Sequence, residues 1–161
     1  MHGTARHHIV VWASVPSRED ELFAAELNAK AAERHTLLTA AGPGADDQVA
    51  LAKALEAALR AARAGTHLYL SGAERQVWCL HNLALRLGIQ PQEISVYRCE
   101  SGTRPVYCVH CTTLQETTSK NEMTCCNCGV GLMVRDHFSR RLGAYMGVVA
   151  DADNPYAKGQ A

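Results

Sequence analysis

Residues 106–129 read VYCVHCTTLQETTSKNEMTCCNCG and hold five of the chain's seven cysteines. Four of them pair as Cys108-x-x-Cys111 and Cys125-x-x-Cys128, with thirteen residues between the pairs. Each pair has the spacing of a knuckle, a tight turn that aims two thiolates at one point. Two knuckles supply the tetrahedral four-sulfur ligand set favoured by zinc or a single iron. Gly129, directly after Cys128, suits the close backbone approach that lets amide hydrogens donate to sulfur. Cys126 lies one residue too close to Cys128 for a knuckle and is read as a spare thiol. Cys79 and Cys99 fall outside the cluster and are read as buried structural thiols.

Four protein sulfurs fill a tetrahedral sphere, so no open position remains to activate water and hydrolytic metal chemistry is disfavoured. Two roles stay open: a structural zinc staple, or a one-electron iron centre as in rubredoxin. The ligands are the same for both. His110, inside the first knuckle, and His137, beyond the second, are candidate donors around the sulfurs or surface histidines. Arg135, Arg140 and Arg141 stand nearby in sequence. They could neutralise the negative charge of a tetrathiolate site or form a rim that grips a partner. Leu132, Met133 and Tyr145 are expected to offer exposed apolar surface for that contact, because a small lobe buries little of its own area. Leu142, Tyr145, Met146 and Val149 recur at helical spacing and are read as packing. Past Asp151 the composition turns small and polar, and the end is expected to fray or to lie on a partner.

The first hundred residues read differently. Apolar, β-branched runs (HHIVVWASV, HTLLTAAG, THLYLSG, EISVYRCE) alternate with helical patterns. SREDELFAAELNAKAAERH begins at a plausible cap, Ser17, with acids in its first turn. ADDQVALAKALEAALRAARAG is expected to end at Gly65, and AERQVWCLHNLALRLG at Gly88. Strands joined by such helices predict right-handed crossovers and a small parallel sheet, half of a doubly wound, Rossmann-like fold. Ligands of such sheets bind at the carboxyl ends of the strands. There, Gly42-x-Gly44 is only a fragment of a phosphate loop. Its third glycine position is Asp47, and the carboxylates of Asp46 and Asp47 would repel a pyrophosphate. No cofactor-binding and no catalytic residue is assigned.

The expected organisation is an α/β domain over 1–103, a four-cysteine metal lobe of zinc-ribbon or rubredoxin type over 104–150, and a flexible tail over 151–161. Lysine plus arginine equals aspartate plus glutamate, 16 against 16. That balance argues against a nucleic-acid binder. No apolar run approaches the length of a membrane span, no secretory leader is visible, and the clustered cysteines fit a reducing cytoplasm.

Two resemblances add to this. Residues 66–98 resemble the last strand-helix-strand unit of the nicotinamide-binding domain in ferredoxin reductase-type flavoproteins. Ser71-Gly72-Ala73 stands where that family has Cys-Gly-Pro, so the cysteine beside the nicotinamide is missing. RPVYCVHCTTLQ, TCCNCGVGLMVRDHFSRRLGAYMGV and the degenerate front half together resemble the small DmmA-type subunit of bacterial dimethylamine monooxygenase. The resemblance implies a multi-subunit, NADPH-dependent oxidoreductase that converts dimethylamine and oxygen to methylamine and formaldehyde. It implies haem, FMN and an iron–sulfur cluster on partner subunits: a haem subunit and a flavin/iron–sulfur reductase. This chain would add one zinc or iron ion held by Cys108, Cys111, Cys125 and Cys128, in a structural or electron-transfer role. The alternative reading is a free-standing zinc-ribbon adaptor for protein or nucleic-acid contacts. Four-cysteine sites of that kind occur in both.

Overall fold

A computed structural model describes residues 7–14, 22, 35–42, 44–99 and 102–156. The chain divides into two compact units, Met1–Cys99 and Glu100–Ala161. Each is taken by itself.

The first unit is a four-stranded parallel sheet. Its elements are β1 (His7–Trp12), β2 (His35–Thr39), helix α1 (Ala45–Ala61), β3 (Thr66–Ala73), helix α2 (Glu74–Arg86), a single 3₁₀ turn (Pro91–Glu93) and β4 (Ile94–Cys99). Strand order is β2-β1-β3-β4, with every neighbouring pair parallel. The helix expected over 17–35 lies outside the described residues, apart from Leu22, which is helical, and His35, which opens β2 instead. The crossovers through α1 and α2 run the same way across the sheet. Right-handed connection therefore puts both helices on one face, and they touch each other there. β1 and β3 are buried on both faces, with Ile9, Val11, Leu68 and Leu70 fully enclosed and Val10, Trp12 and Tyr69 clustered on the opposite side. This is why their sequences are continuous apolar runs rather than alternating ones.

Two local expectations need correction. α1 stops at Ala61, with Ala62 as its cap. Gly65, at φ 86°, serves the turn into β3 instead. The Thr66 amide and hydroxyl both donate to the Arg63 carbonyl, which closes that turn around Gly65. Cys79 is exposed on α2 rather than buried, and Cys99 is half-buried. Gly88 does close α2: at φ 95° it lets the Ile89 amide reach back to the Ala84 carbonyl at 3.2 Å, a Schellman ending.

At the carboxyl ends of β1 and β3 the described residues pack closely on one another. Gln48 Nε2 donates to the Ala13 carbonyl at 2.9 Å. A side chain at Gly42 would meet the Asp47 carboxylate at 2.7 Å, and one at Gly72 would meet Ala13 Cβ at 2.9 Å. The β1 and β3 ends thus abut where a doubly wound sheet would open its ligand crevice.

The second unit is a curled five-stranded sheet of β5 (Arg104–Cys108), β6 (Leu114–Thr117), β7 (Glu122–Thr124), β8 (Gly131–Ser139) and β9 (Ala144–Val149), in the order β6-β5-β9-β8-β7. β5 and β6 form one antiparallel hairpin, β7 and β8 another. β9 lies between them, parallel to β5 and antiparallel to β8. The helical spacing of Leu142, Tyr145, Met146 and Val149 therefore belongs to a turn and a strand. Gly147 explains the outcome: its missing side chain lets β9 press against Val106 and Leu132. Leu132 is fully buried, not exposed as expected, because it faces the metal-side core with Val130, Cys108 and Cys125. Met133 and Tyr145 are half-buried. Arg104 fastens the strands together. Its guanidinium stacks 3.8 Å above the Tyr145 ring and donates to the Lys120 carbonyl at 2.8 Å. Residues 151–156 are ordered in a turn: Asp151 caps the amides of Asp153 and Asn154, and the Pro155 carbonyl accepts from Gly131 at 2.9 Å. Among the described residues no helix is long and apolar enough to cross a membrane.

Candidate metal centre

Each hairpin of the second unit carries one knuckle at its turn. The chain leaves β5 at Cys108, turns through Val109 and His110, and places Cys111 before β6. It leaves β7 before Cys125, turns through Cys126 and Asn127, and places Cys128 before β8. The two turns repeat one another bond for bond. The Thr112 amide donates to the Cys108 carbonyl at 2.8 Å and the Gly129 amide to the Cys125 carbonyl at 3.0 Å. The Cys108 and Cys125 amides both donate at 2.9 Å, to the carbonyls of Thr113 and Val130. Amides also donate to sulfur in matching fashion. Cys108 Sγ accepts from Cys111 and His110, and Cys125 Sγ from Cys128 and Asn127. Cys111 Sγ accepts from Thr113, and Cys128 Sγ from Val130.

The four sulfurs all lie within 4.8 Å of one another. Cys108 and Cys128 are 3.9 Å apart, Cys111 and Cys125 3.6 Å. Sulfurs placed about 2.3 Å from one ion stand about 3.8 Å apart at tetrahedral angles, so the cluster fits zinc or iron in size and in donor type. Burial pushes the Cys108 thiol up to about 12. Hydrogen bonds from the Thr113 hydroxyl and amide, then from Asn127, pull Cys111 down to about 5. Binding a divalent cation would release the remaining thiol protons.

Left-handed backbone follows both knuckles, at Gly129 (φ 71°) and at Thr112 (φ 62°). A β-branched residue there is costly. Relief of about 1–2 kcal/mol of backbone strain, against about 0.4–1 kcal/mol for a more flexible unfolded chain, leaves a net gain. Thr112→Gly is expected to raise the stability of the metal-loaded protein by roughly 0.5–1 kcal/mol. Calorimetric melting at fixed metal concentration checks this, and an unchanged or lower midpoint would refute the strain.

Of the other residues singled out by sequence, none joins the sulfurs through a described side-chain bond. His110 contributes its amide to Cys108 and is exposed at the knuckle tip. Arg135 and His137 flank Asp136 in a bulge of β8 between Val134 and Phe138, all three exposed. Arg140 and Arg141 are exposed in the turn between β8 and β9. Cys126 is exposed and stands outside the four-sulfur cluster, its amide held by Gln115 Oε1 at 2.9 Å. What sequence reasoning missed is the set of polar neighbours: Thr113 and Asn127 on the Cys111 sulfur, and Gln115 tying the second knuckle to β6. A hydroxyl two residues past a knuckle was the available signal.

Residues 105–148, the span holding both knuckles, match the family model described as "Dimethylamine monooxygenase subunit DmmA-like, C-terminal domain". The chain is 44% identical over 152 residues to the heme-dependent oxidative N-demethylase delta subunit of Ectopseudomonas mendocina (strain ymp), covering 94% of this chain and 84% of that protein. No solved structure matches.

Proposed function

Because the chain belongs to the family of the heme-dependent oxidative N-demethylase delta subunit, we propose that it is the non-haem, metal-binding subunit of a multi-subunit dimethylamine monooxygenase. The observation that carries this reading is the closure of four sulfurs on one point inside the span matched by the DmmA-like domain. Cys108, Cys111, Cys125 and Cys128 hold one zinc or iron ion. The ion supplies cross-linking of the two hairpins and, if it is iron, one-electron capacity. The chain's own residues position the sulfurs, screen Cys108 and Cys125 from water, and present the knuckle tips outward.

Dimethylamine, oxygen and NADPH are handled by the partners, a haem subunit and a flavin/iron–sulfur reductase subunit. Asp47 at the third glycine position of the Gly42-x-Gly44 fragment supports this division, since its carboxylate would repel a pyrophosphate. The contact with those partners is made by the metal lobe through His110, Arg135, His137, Arg140 and Arg141. Exposure of all five supports it, as does the open, partly apolar groove of Met133, Met146 and Val148 beside the β8 bulge. Arginine suits such a contact because its planar fork pairs with carboxylates bidentately. The cytoplasm is the compartment in which such a tetrathiolate and its reductant coexist.

Co-expression with the other subunits tests the proposal. The wild-type chain should co-purify with them and support dimethylamine turnover. Arg140→Glu with Arg141→Glu should cut co-purification by at least tenfold while leaving one metal per chain. Full assembly and turnover by the double variant would remove the arginines from the contact. Failure of the wild-type chain to associate would overturn the proposal itself.

A further inference from the structure

The two knuckles are near-copies in backbone, and this makes the side-chain difference between Thr113 and Val130 informative. Two residues past the second cysteine of each stands a residue whose carbonyl holds the first cysteine's amide at 2.9 Å: Thr113 in the first knuckle, Val130 in the second. Val130 is fully buried and gives Cys128 only its amide. Thr113 gives Cys111 its amide and also sets its hydroxyl 3.3 Å from Cys111 Sγ. The Asn127 side chain, reaching over from the opposite knuckle, hydrogen-bonds to the same sulfur. Cys111 and Cys128 are half-exposed, whereas Cys108 and Cys125 are buried.

A metal-bound thiolate has no proton to give, so in the loaded site the Thr113 hydroxyl can only donate to the sulfur. Asn127 likewise can use only its NH2 group there. Such bonds withdraw charge from the ligand and tune the metal it holds. We infer that Thr113 and Asn127 are positioning residues that make the Cys111 sulfur the weakest electron donor of the four, so that the metal centre is electronically lopsided toward the surface carrying Val109, His110 and Asn127. With iron, this favours the reduced state. With zinc, it quiets one of the two half-exposed sulfurs toward electrophiles and oxidants. The inference rests on the four-cysteine reading above and goes beyond it, since two hydrogen-bonding side chains are given a function.

Cobalt(II) substitution in the full-length chain tests it, because sulfur-to-cobalt charge-transfer bands report the donor strength of the thiolates. Thr113→Val makes the first knuckle resemble the second, where valine is already accommodated. Its charge-transfer bands should move to longer wavelength with one cobalt still bound per chain. Thr113→Ser, which restores the hydroxyl, should return them to the wild-type position. Asn127→Leu should shift them in the same direction as Thr113→Val, and the double variant further. Coincident spectra for wild type, Thr113→Val and Asn127→Leu at full occupancy would overturn the inference while leaving the four-cysteine site intact. A wild-type chain that takes up no cobalt would overturn the four-cysteine reading. If Thr113→Val fails to hold cobalt, the Asn127→Leu spectrum alone decides.

Discussion

Serine at Cys125 is expected to empty the metal site and to unfold the second unit while the first stays folded. Cys108 and Cys125 are not appended to the core of this unit; they are part of it, 0% and 2% exposed beside Val130 and Leu132. A unit this small rarely gains more than about 3–5 kcal/mol from its own apolar core. A structural zinc site contributes an apparent ~10–16 kcal/mol at neutral pH. The metal term is the larger, so the hairpins should not outlast its loss. Hydrogen exchange followed by mass spectrometry separates the units: protection should vanish over 104–149 and persist in β3, α2 and β4. Chelation of the wild-type chain should do the same. Cys126→Ser, by contrast, should keep both the metal and the protection, because that thiol lies outside the cluster. Metal retained by Cys125→Ser, or lost from Cys126→Ser, would reverse the ligand assignment.

Alanine at Gly147 should also cost the second unit a large part of its stability. The added methyl would lie 2.8 Å from Val106 Cγ1, 3.0 Å from Leu132 Cδ1 and 3.3 Å from the Tyr107 carbonyl. Val106 and Leu132 are both fully buried, so neither can swing aside into solvent. Overpacking of this kind costs about 1–3 kcal/mol. The strain would reach the metal, because the Gly147 carbonyl holds the Val109 amide at 3.0 Å and so anchors the first knuckle. Urea unfolding should show a lowered midpoint, and competition with a chromophoric chelator should show weaker zinc binding. Gly131→Ala is the control: its methyl would find nothing closer than the Pro155 carbonyl at 3.8 Å, and an effect within about 0.5 kcal/mol is expected. Equal behaviour of the two variants would show that β9 does not press on the core as described.

What could be read from the chain alone was whatever local spacing encodes. The x-x interval within each knuckle fixes two sulfurs to one turn, so the cluster of four sulfurs was legible without knowing how the hairpins pair. Alternation of apolar runs with helical patterns determined the parallel α/β unit, because a strand buried on both faces must be apolar throughout, as β1 and β3 are.

Tertiary structure decided the rest, since it depends on neighbours distant in sequence. The periodicity of Leu142, Tyr145, Met146 and Val149 suits a helix, yet insertion between β5 and β8 made residues 144–149 a strand. Both flanking strands offered unpaired backbone groups, and Gly147 allowed the approach. Leu132, Met133 and Tyr145 look alike as apolar residues near a metal site. Only the pairing of β8 with β9 sends Leu132 inward and leaves the other two half-covered. Thr112 and Thr113 are adjacent threonines with nothing in their types to tell them apart. The turn that places Thr112 at positive φ also aims the Thr113 hydroxyl back at Cys111, and side-chain direction of that kind is set by the folded backbone rather than by residue identity.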